Sequence, residues 1–302
     1  ANGISDDLLT TSITATIAPI LICPAMNVKM WKNPITQENV SKLRKLNYHF
    51  VEPEYGELAC GYKGVGRLAK LDKIIERIGL LIKQRNDLKG KRILVTSGAT
   101  FEEIDPVRVI TNKSSGKMGN VIAEQAFQRG AEVLLLRGHN SVELHYNLQE
   151  DKFTSVNDLF NKIKKNIKNF DIIIHAAAVS DFELNNKNEE KLKSSKELHL
   201  ELTPTTKILE NLKKLNTKIF LVGFKAEYKF SKDELINSAF NLLKSADADL
   251  IVANDVGKAN AGFDVDTNEV FVVDKKRKIK HIQLADKGVV ADRLLDIISK
   301  KI

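Results

Sequence analysis

The sequence has few cysteines and no long apolar run. Its 302 residues include only two cysteines, Cys23 and Cys60, which are not in CxxC spacing. These cysteines suit a reducing, cytoplasmic compartment better than a disulfide framework. The six histidines form neither an HExxH pattern nor a His/Cys cluster, so we expect no metal caged by protein ligands. The apolar stretch 17–23 is interrupted by Pro19, and we expect no membrane span.

Two familiar phosphate-binding patterns are also absent. No GxGxxG follows the apolar run that ends at Val95, and Lys117 is followed by Met118 rather than by the Ser or Thr of a Walker A loop. Only 6% of the residues are aromatic, and the lysines that give a net charge of +8 are spread along the chain. We therefore expect no nucleic-acid partner, whereas the excess positive charge would draw anionic small molecules toward a cleft.

The chain is long enough, and with 43% hydrophobic residues apolar enough, to form two domains. The polar stretch 83–90 is the best linker candidate, and it predicts domains at 1–85 and 86–302. In the first domain the pattern predicts helices at 5–12, 36–45 and 71–82, a strand at 19–23 and a glycine-rich loop at 59–67.

The second domain alternates between strand and helix patterns, which predicts an α/β fold with a doubly wound, mostly parallel sheet. Its strands are expected at 92–96, 131–136, 171–176, 218–223 and 249–253, with an edge pair at 269–273 and 278–282. Its helices are expected at 117–129, 156–168, 205–214, 232–245 and 289–299. Ligands of such sheets bind beyond the carboxyl ends of the strands.

The stretch 93–131 predicts a strand, a long polar loop and a helix that opens on Ser-Ser-Gly-Lys. Ser114 and Ser115 are good N-cap residues, and Gly116 allows a ligand to approach the backbone at the helix start. The first-turn N–H groups of this helix could hold a phosphate. A capped helix after a surface loop is the alternative, but a connection of this length is usually functional or disordered.

Two further segments attract attention by their chemistry. The strand that ends in Ala-Ala-Ala is followed at once by Asp181 and Phe182, and its small side chains would admit a flat ligand or a closely packed helix. Lys191 and Lys193 are two residues apart, so in an extended loop both would point the same way. Such a pair is usually solvated unless the loop closes over an anion.

Seven motifs together resemble the family of bifunctional coenzyme A biosynthesis flavoproteins, which join phosphopantothenoylcysteine decarboxylase to phosphopantothenate–cysteine ligase. They occur in the ligase order: GAT at 98–100, DPVR at 105–108, NKSSGKMG at 112–119, AAAVSDF at 176–182, KLK at 191–193, VGFKAE at 222–227 and ANDV at 253–256. The resemblance implies a Rossmann-like ligase domain over 86–302. It also implies a dimer through the ligase domains.

The resemblance implies that CTP, rather than ATP, activates 4′-phosphopantothenate as an acyl-nucleotide and that cysteine then displaces the nucleotide. Lys191 would stabilise developing charge, Asn112 would orient the acyl intermediate, and Arg108 would hold phosphate or carboxylate groups. Nucleotide contacts and Mg²⁺ are implied at further positions. These are Gly98, Ser114, Ser115, Gly116, Ala177, Asp181, Lys193 and Phe224, with Asp181 as the residue nearest to Mg²⁺.

Residues 1–82 resemble the end of the family's flavoprotein decarboxylase domain through PAMNVKMW at 24–31 and the segment around Cys60. The resemblance implies that Asn27 holds the substrate, that Cys60 donates a proton, and that FMN is the cofactor. The family's earlier strands and a catalytic histidine have no counterpart here. We therefore expect a truncated decarboxylase domain that holds FMN poorly, and higher oligomers only if that domain is complete.

Two other functions are open to the sequence. A nicotinamide-dependent oxidoreductase of Rossmann type is disfavoured by the missing GxGxxG and by the lack of an acidic residue after the second strand. A nucleic-acid-binding module is suggested by the basic charge alone.

Overall fold

The computed structural model of the chain describes every residue except 59–60, 62, 83–84, 145, 186–189, 193–198, 259 and 263. Within the described residues, contacts divide the chain into two units. The first is Ala1–Arg85 with Leu144–Asn147, and the second is Asn86–Glu143 with Leu148–Ile302.

The first unit carries short elements with partly exposed side chains. In chain order they are α1 (Leu8–Ala15), β1 (Leu21–Ile22), α2 (Val28–Trp31), α3 (Pro34–Lys45), β2 (His49–Phe50), β3 (Glu54–Glu57), β4 (Lys63–Arg67) and α4 (Leu71–Ile82). Strands β1 and β2 pair in parallel, whereas β3 and β4 form an antiparallel pair.

The prediction of a glycine-rich loop at 59–67 is wrong for its second half, because Lys63–Arg67 form strand β4. Glycines alternate there because the strand packs tightly: a Cβ at Gly64 would lie 2.7 Å from a methyl group of Val28. At Gly66 it would collide with the carbonyl oxygen of Met26, whose own N–H donates to the Gly66 carbonyl oxygen at 2.9 Å. These glycines therefore serve close packing of a strand rather than loop flexibility.

The second unit is built on an eight-stranded sheet. Its elements are β5 (Arg92–Ser97), β6 (Phe101–Glu103), β7 (Val109–Thr111), α5 (Lys117–Gln128), β8 (Glu132–Gly138), β9 (Gln149–Phe153), α6 (Val156–Asn166), a 3₁₀ turn (Ile167–Asn169), β10 (Ile172–His175), β11 (Phe182–Leu184), β12 (Leu202–Pro204), α7 (Ile208–Leu215), β13 (Phe220–Glu227), α8 (Lys232–Ser245), β14 (Leu250–Asp255), β15 (Thr267–Asp274), β16 (Ile279–Asp286) and α9 (Lys287–Ser299).

The sheet order is β16-β15-β14-β13-β10-β5-β8-β9. The six strands from β14 to β9 are parallel, and β15 and β16 add an antiparallel edge. Helices α6, α7 and α8 share one core with alternate sheet residues such as Leu94, Ile173 and Ile251. Helices α5 and α9 pack against each other and against the sheet. The expected doubly wound, mostly parallel α/β sheet is confirmed.

Strand β9 and two small hairpins were not expected. Four of the five β9 residues are exposed at the sheet edge, so the strand has no apolar alternation to reveal it. The expected loop between β5 and α5 contains the antiparallel pair β6–β7, and β11 pairs with β12 in the same way. These strands are only three residues long, too short for a periodic signal.

Candidate functional site

The pairing of β5 with β10 continues beyond the carboxyl edge of the sheet. The Ala176 N–H donates to the Thr96 carbonyl oxygen at 3.1 Å, and the Ala178 N–H donates to the Gly98 carbonyl oxygen at 2.7 Å. The Thr100 N–H then donates back to the Ala178 carbonyl oxygen at 3.2 Å. The segments 98–100 and 176–182, found far apart in the sequence, therefore form one backbone surface where ligands of parallel sheets bind.

A buried pair of side chains supports this surface. The Thr96 hydroxyl oxygen lies 2.8 Å from Nδ1 of His175 and accepts the Ala177 N–H at 3.2 Å. Burial lowers the pKa of His175 to about 4, so its imidazole is neutral at physiological pH. A neutral imidazole has one N–H and one acceptor nitrogen, so a single hydrogen bond joins Nδ1 to the Thr96 hydroxyl. Sequence analysis did not single out either residue.

Asn112 is fixed by the same surface. Its Nδ2 donates to the Val179 carbonyl oxygen at 3.0 Å, while the neighbouring Thr111 hydroxyl donates to the Thr100 carbonyl oxygen at 2.9 Å. Since the amide nitrogen is used in this bond, Oδ1 remains as a hydrogen-bond acceptor beside the cleft.

A cleft of about 370 Å³ opens beside this surface. Three of the predicted site residues, Asn112, Ser114 and Ser115, line it. The whole lining consists of Ala99, Phe101, Thr111, Asn112, Lys113, Ser114, Ser115, Asn140 and Asp264. Sequence reasoning missed Asn140 and Asp264, which belong to no phosphate- or metal-binding pattern and lie in loops.

The start of helix α5 differs from the expectation. Its N-cap is Gly116, with φ of +79° and no side-chain cap hydrogen bond, so the expected capping by Ser114 or Ser115 is wrong. The left-handed conformation at Gly116 explains this outcome, since it turns the chain into the helix without a capping side chain. The Lys117 ammonium donates to the Asp264 carbonyl oxygen at 2.9 Å and to the Asp266 carboxylate at 2.8 Å. Lys117 therefore anchors the loop that carries Asp264.

Close packing explains the glycines around this helix start. Gly98 has φ of +87°, and a Cβ there would collide with the Ser141 hydroxyl. A Cβ at Gly116 would lie 2.8 Å from Ser141, and one at Gly119 would lie 2.6 Å from Ser97. The space beside Gly98 and Gly116 is thus filled by a serine of the loop after β8.

A second cluster joins the DPVR motif to the segment of Lys191. The Asp105 carboxylate is buried and accepts the N–H groups of Val107 and Arg108 at 2.8 Å and that of Leu192 at 3.2 Å. Nη1 of Arg108 lies 3.1 Å from the same carboxylate and donates to the Leu192 carbonyl oxygen at 3.3 Å. Arg108, a predicted catalytic residue, thereby contacts the backbone of the residue that follows Lys191, another predicted catalytic residue.

Four predicted ligase residues remain. Three lie at the carboxyl ends of other strands, and the fourth lies outside the described residues. Asp181 is exposed and pairs with the Lys207 ammonium at 2.5 Å. Phe224 is half-buried on β13, opposite Val252 of β14, and Ala177 is half-buried after β10. Lys193 lies outside the described residues. Of these residues, the three that the structure describes do not line the cleft described above.

In the first unit, Asn27 is the N-cap of α2, where its side-chain oxygen accepts the Lys29 N–H at 2.8 Å. Gly61, next to Cys60 in the sequence, has φ of +78°, and among the described residues no heavy atom apart from its chain neighbours lies within 4 Å of the place of a Cβ. Cys60 itself lies outside the described residues.

The described ranges contain neither a candidate membrane span nor a candidate metal site. No helix among them is long and apolar enough to cross a membrane. No three His, Cys, Asp or Glu side chains of the described chain are grouped so that they could hold a metal ion.

Comparison with known sequences assigns both parts of the chain. Residues 88–302 match the family described as DNA/pantothenate metabolism flavoprotein C-terminal domain, and residues 1–83 match the Flavoprotein family. The chain is 42% identical over 304 residues to the coenzyme A biosynthesis bifunctional protein CoaBC of Thermococcus kodakarensis, covering 99% of this chain and 72% of that protein. The chain belongs to the CoaBC family.

Two further relatives agree. CoaBC of Bacillus subtilis is 39% identical over 303 residues, which cover 99% of this chain and 74% of that protein. A crystal structure of the C-terminal domain of a CoaBC protein is similar with a TM-score of 0.59 and 34% identity, over 72% of this chain and 97% of that one. The family resemblance inferred from the seven motifs is thus confirmed.

These matches also bear on two earlier expectations. They give no support to a nicotinamide-dependent oxidoreductase. The chain covers most of the length of the CoaBC relatives, which does not support the expected truncation of the flavoprotein domain.

Proposed function

We propose that the second unit joins 4′-phosphopantothenate to cysteine with CTP as the activating nucleotide. A carboxylate oxygen of phosphopantothenate attacks the α-phosphorus, the bond to the β-phosphate breaks, and pyrophosphate leaves. The cysteine nitrogen then attacks the acyl carbon, the carbon–oxygen bond to the nucleotide breaks, CMP leaves, and the amine loses its proton. Membership in the CoaBC family supports this reaction.

One observation carries the proposal: Asn112 donates to the Val179 carbonyl oxygen and also lines the cleft. The bond ties the motif at 112–119 to the motif at 176–182. It leaves Oδ1 of Asn112 as an acceptor that can hold the cysteine amine against the acyl carbon. Holding two reactants in this way replaces a bimolecular encounter with an intramolecular step.

The charges around the cleft suit an anionic substrate. Lys113 lines the cleft, and Lys191 is exposed beside Leu192; neither ammonium has a hydrogen-bond or ion-pair partner in the described chain. Lys191 and Arg108 are the groups that we assign to charge developing in acyl transfer. Preorganised positive groups stabilise such charge because they need no reorganisation during the reaction.

We assign the nucleotide contacts to Gly98, Ala177, Lys193 and Phe224 and to the segment 114–116. Mg²⁺ would be held chiefly by phosphate oxygens, as is usual for this ion, with Asp181 as the one protein carboxylate. Asp181 fits this role because its partner Lys207 is exposed, and a surface ion pair of this kind is weak enough to exchange.

For the first unit we propose decarboxylation of the ligation product, with Asn27 holding the substrate and Cys60 donating a proton. FMN is the cofactor that the Flavoprotein match implies, and when bound it supplies two-electron oxidation. The N-cap position of Asn27 fits a substrate contact, because it places the side chain at the start of α2.

We also infer that the second unit forms a homodimer. Its small hairpins expose apolar side chains: Val109 on β7 is 43% exposed, Phe182 on β11 is 50% exposed, and Leu202 on β12 is 41% exposed. Apolar side chains exposed on short strands favour burial against a second protein surface.

The test is release of pyrophosphate from CTP by the purified chain. We expect release that depends on phosphopantothenate, and amide product only when cysteine is added. Asn112→Asp should still release pyrophosphate but accumulate the acyl-nucleotide, because a carboxylate would face the Val179 carbonyl oxygen and lose the fixed orientation. Mass spectrometry of the quenched reaction detects this species.

Asn161→Asp is the matched control, since Asn161 is exposed on α6 and makes no hydrogen bond within the described chain. It should turn over like wild type. Pyrophosphate release without phosphopantothenate, or no trapped intermediate in Asn112→Asp, would contradict the assignment.

A further inference from the structure

The backbone of Leu192 is held from two sides. Its N–H donates to Oδ2 of Asp105 at 3.2 Å, and its carbonyl oxygen accepts from Nη1 of Arg108 at 3.3 Å. Nη1 of Arg108 in turn lies 3.1 Å from Oδ2 of Asp105. One carboxylate thus organises contacts between segments 87 residues apart in the sequence.

The Asp105 side chain is suited to joining these two segments, and it is not placed to touch a ligand. Its side chain has no exposed surface, and both of its oxygens are occupied by N–H donors, those of Val107 and Arg108 on Oδ1 and those of Leu192 and Arg108 on Oδ2. Burial acts to raise the pKa of its carboxyl, but the backbone N–H groups of Val107, Leu192 and Arg108 and the Arg108 charge lower it overall. The group is therefore a pure acceptor at neutral pH.

Lys191 has the opposite character. It is exposed, and its ammonium makes no hydrogen bond or ion pair with the described residues. No such bond fixes the position of its ammonium. The neighbouring residue Leu192 restricts the backbone that carries Lys191, because both its N–H and its carbonyl oxygen are hydrogen-bonded.

We propose that Asp105 is a positioning residue that holds the Lys191 segment against the turn at 105–108, so that Lys191 and Arg108 act on the same anionic group. The role in turnover rests on the proposed ligase function, whereas the restraint on Leu192 does not. Asp105 itself touches no substrate.

Asp105→Asn tests the proposal. Asparagine keeps the size of the side chain but has one acceptor oxygen where the carboxylate has two, and it carries no charge, so the bond to Leu192 is weakened or lost. We expect the Leu192 amide to exchange hydrogen for deuterium roughly tenfold faster, as for loss of one charge-assisted hydrogen bond. We expect kcat for amide formation to fall roughly tenfold or more, with KM for CTP changed less than about threefold.

Asp233→Asn is the matched control, because Asp233 is exposed at the start of α8 and forms no ion pair among the described residues. It should change neither Leu192 exchange nor kcat. A merely structural role for Asp105 would instead lower the melting temperature and raise KM for CTP without a selective effect on kcat, and that result would overturn the proposal.

Leu192→Pro removes the same hydrogen bond from the other side and leaves Asp105 intact, which covers a failure of Asp105→Asn to fold. It should reproduce the loss of kcat. Wild-type kcat in Leu192→Pro, or unchanged Leu192 exchange in Asp105→Asn, contradicts the positioning role. If wild-type protein releases no pyrophosphate from CTP, the proposed function fails, and deuterium exchange still decides whether Asp105 restrains the segment.

Discussion

Thr96 and His175 share a hydrogen bond of 2.8 Å at the carboxyl ends of two adjacent parallel strands. Both side chains are buried, with exposed fractions of 0% and 6%. Through Thr96 the pair also holds the Ala177 N–H at 3.2 Å, at the point where the chain leaves β10 toward the cleft. A buried polar pair in the sheet is thus tied directly to the backbone that we assign to nucleotide binding.

Thr96→Val should therefore weaken both folding and nucleotide binding. The substitution leaves the Ala177 N–H and Nδ1 of His175 without partners, which should cost about 2–3 kcal/mol of unfolding free energy. We expect a several-fold higher KM for CTP, measured by pyrophosphate release. Thr96→Ser keeps the hydroxyl and should stay near wild type on both measures; equal effects of the two variants would show that the hydroxyl has no such role.

Acid should destabilise the fold through His175. Its pKa in the folded chain is about 4, below the ordinary value of 6.5, so the unfolded chain binds the extra proton first as pH falls. The free energy of unfolding should decline from pH 6.5 to about pH 4, with His175 contributing about 3 kcal/mol over that window. Urea unfolding followed by circular dichroism at several pH values measures this.

His175→Gln isolates that contribution. Glutamine offers Thr96 both a donor and an acceptor but does not titrate, so the variant should lose less stability than wild type between pH 6.5 and 4. His139→Gln, at an exposed histidine in the loop after β8, is the matched control. Parallel pH profiles for His175→Gln and wild type would contradict the expectation.

Lys191→Gln should reduce amide formation by roughly a hundredfold or more, in line with loss of one preorganised group at developing charge. CTP binding should change little, because the lysine is assigned to the transition state rather than to the bound nucleotide. Lys280→Gln, at an exposed position of β16, is the control. Wild-type turnover in Lys191→Gln would remove this residue from the proposed chemistry.

Arg129 should be a main determinant of stability in the second unit. Its buried guanidinium pairs with Asp87, with Asp292 at 3.1 Å and with Asp296 at 2.9 Å. Arg129→Met leaves three carboxylates without their shared partner and should cost about 3–5 kcal/mol. Urea unfolding measures the change, and Arg293→Met, at an exposed residue of the same helix α9, should stay within about 0.5 kcal/mol of wild type.

Strong local patterns made most of the fold predictable. The apolar runs of β5 and β10 and the amphipathic helices between them are long enough to show their period, and they determined the parallel sheet. Strand β9 was not predicted, because its residues face water at the edge of the sheet. The hairpin β6–β7 could not be predicted, because strands of three residues are too short to show an apolar alternation and are defined by their pairing alone.

The candidate site was predictable where a motif contains the residue. Asn112, Ser114 and Ser115 do line the cleft. Asn140 and Asp264 could not be found, because each is an isolated polar residue that only the folded chain brings to the cleft. The contact of Asp105 with Leu192 could not be predicted either, because its donor is a backbone N–H, which sequence patterns do not record.

The glycines at 98, 116 and 119 set a limit on how the cleft could be re-engineered. Gly98 and Gly116 need positive φ, and any side chain there would meet Ser141, while a Cβ at Gly119 would meet Ser97. A mutant library that randomises these positions would mostly yield misfolded proteins and report little on substrate choice. Altered substrate choice at the cleft has to be sought at Lys113, Asn140 and Asp264, which line it.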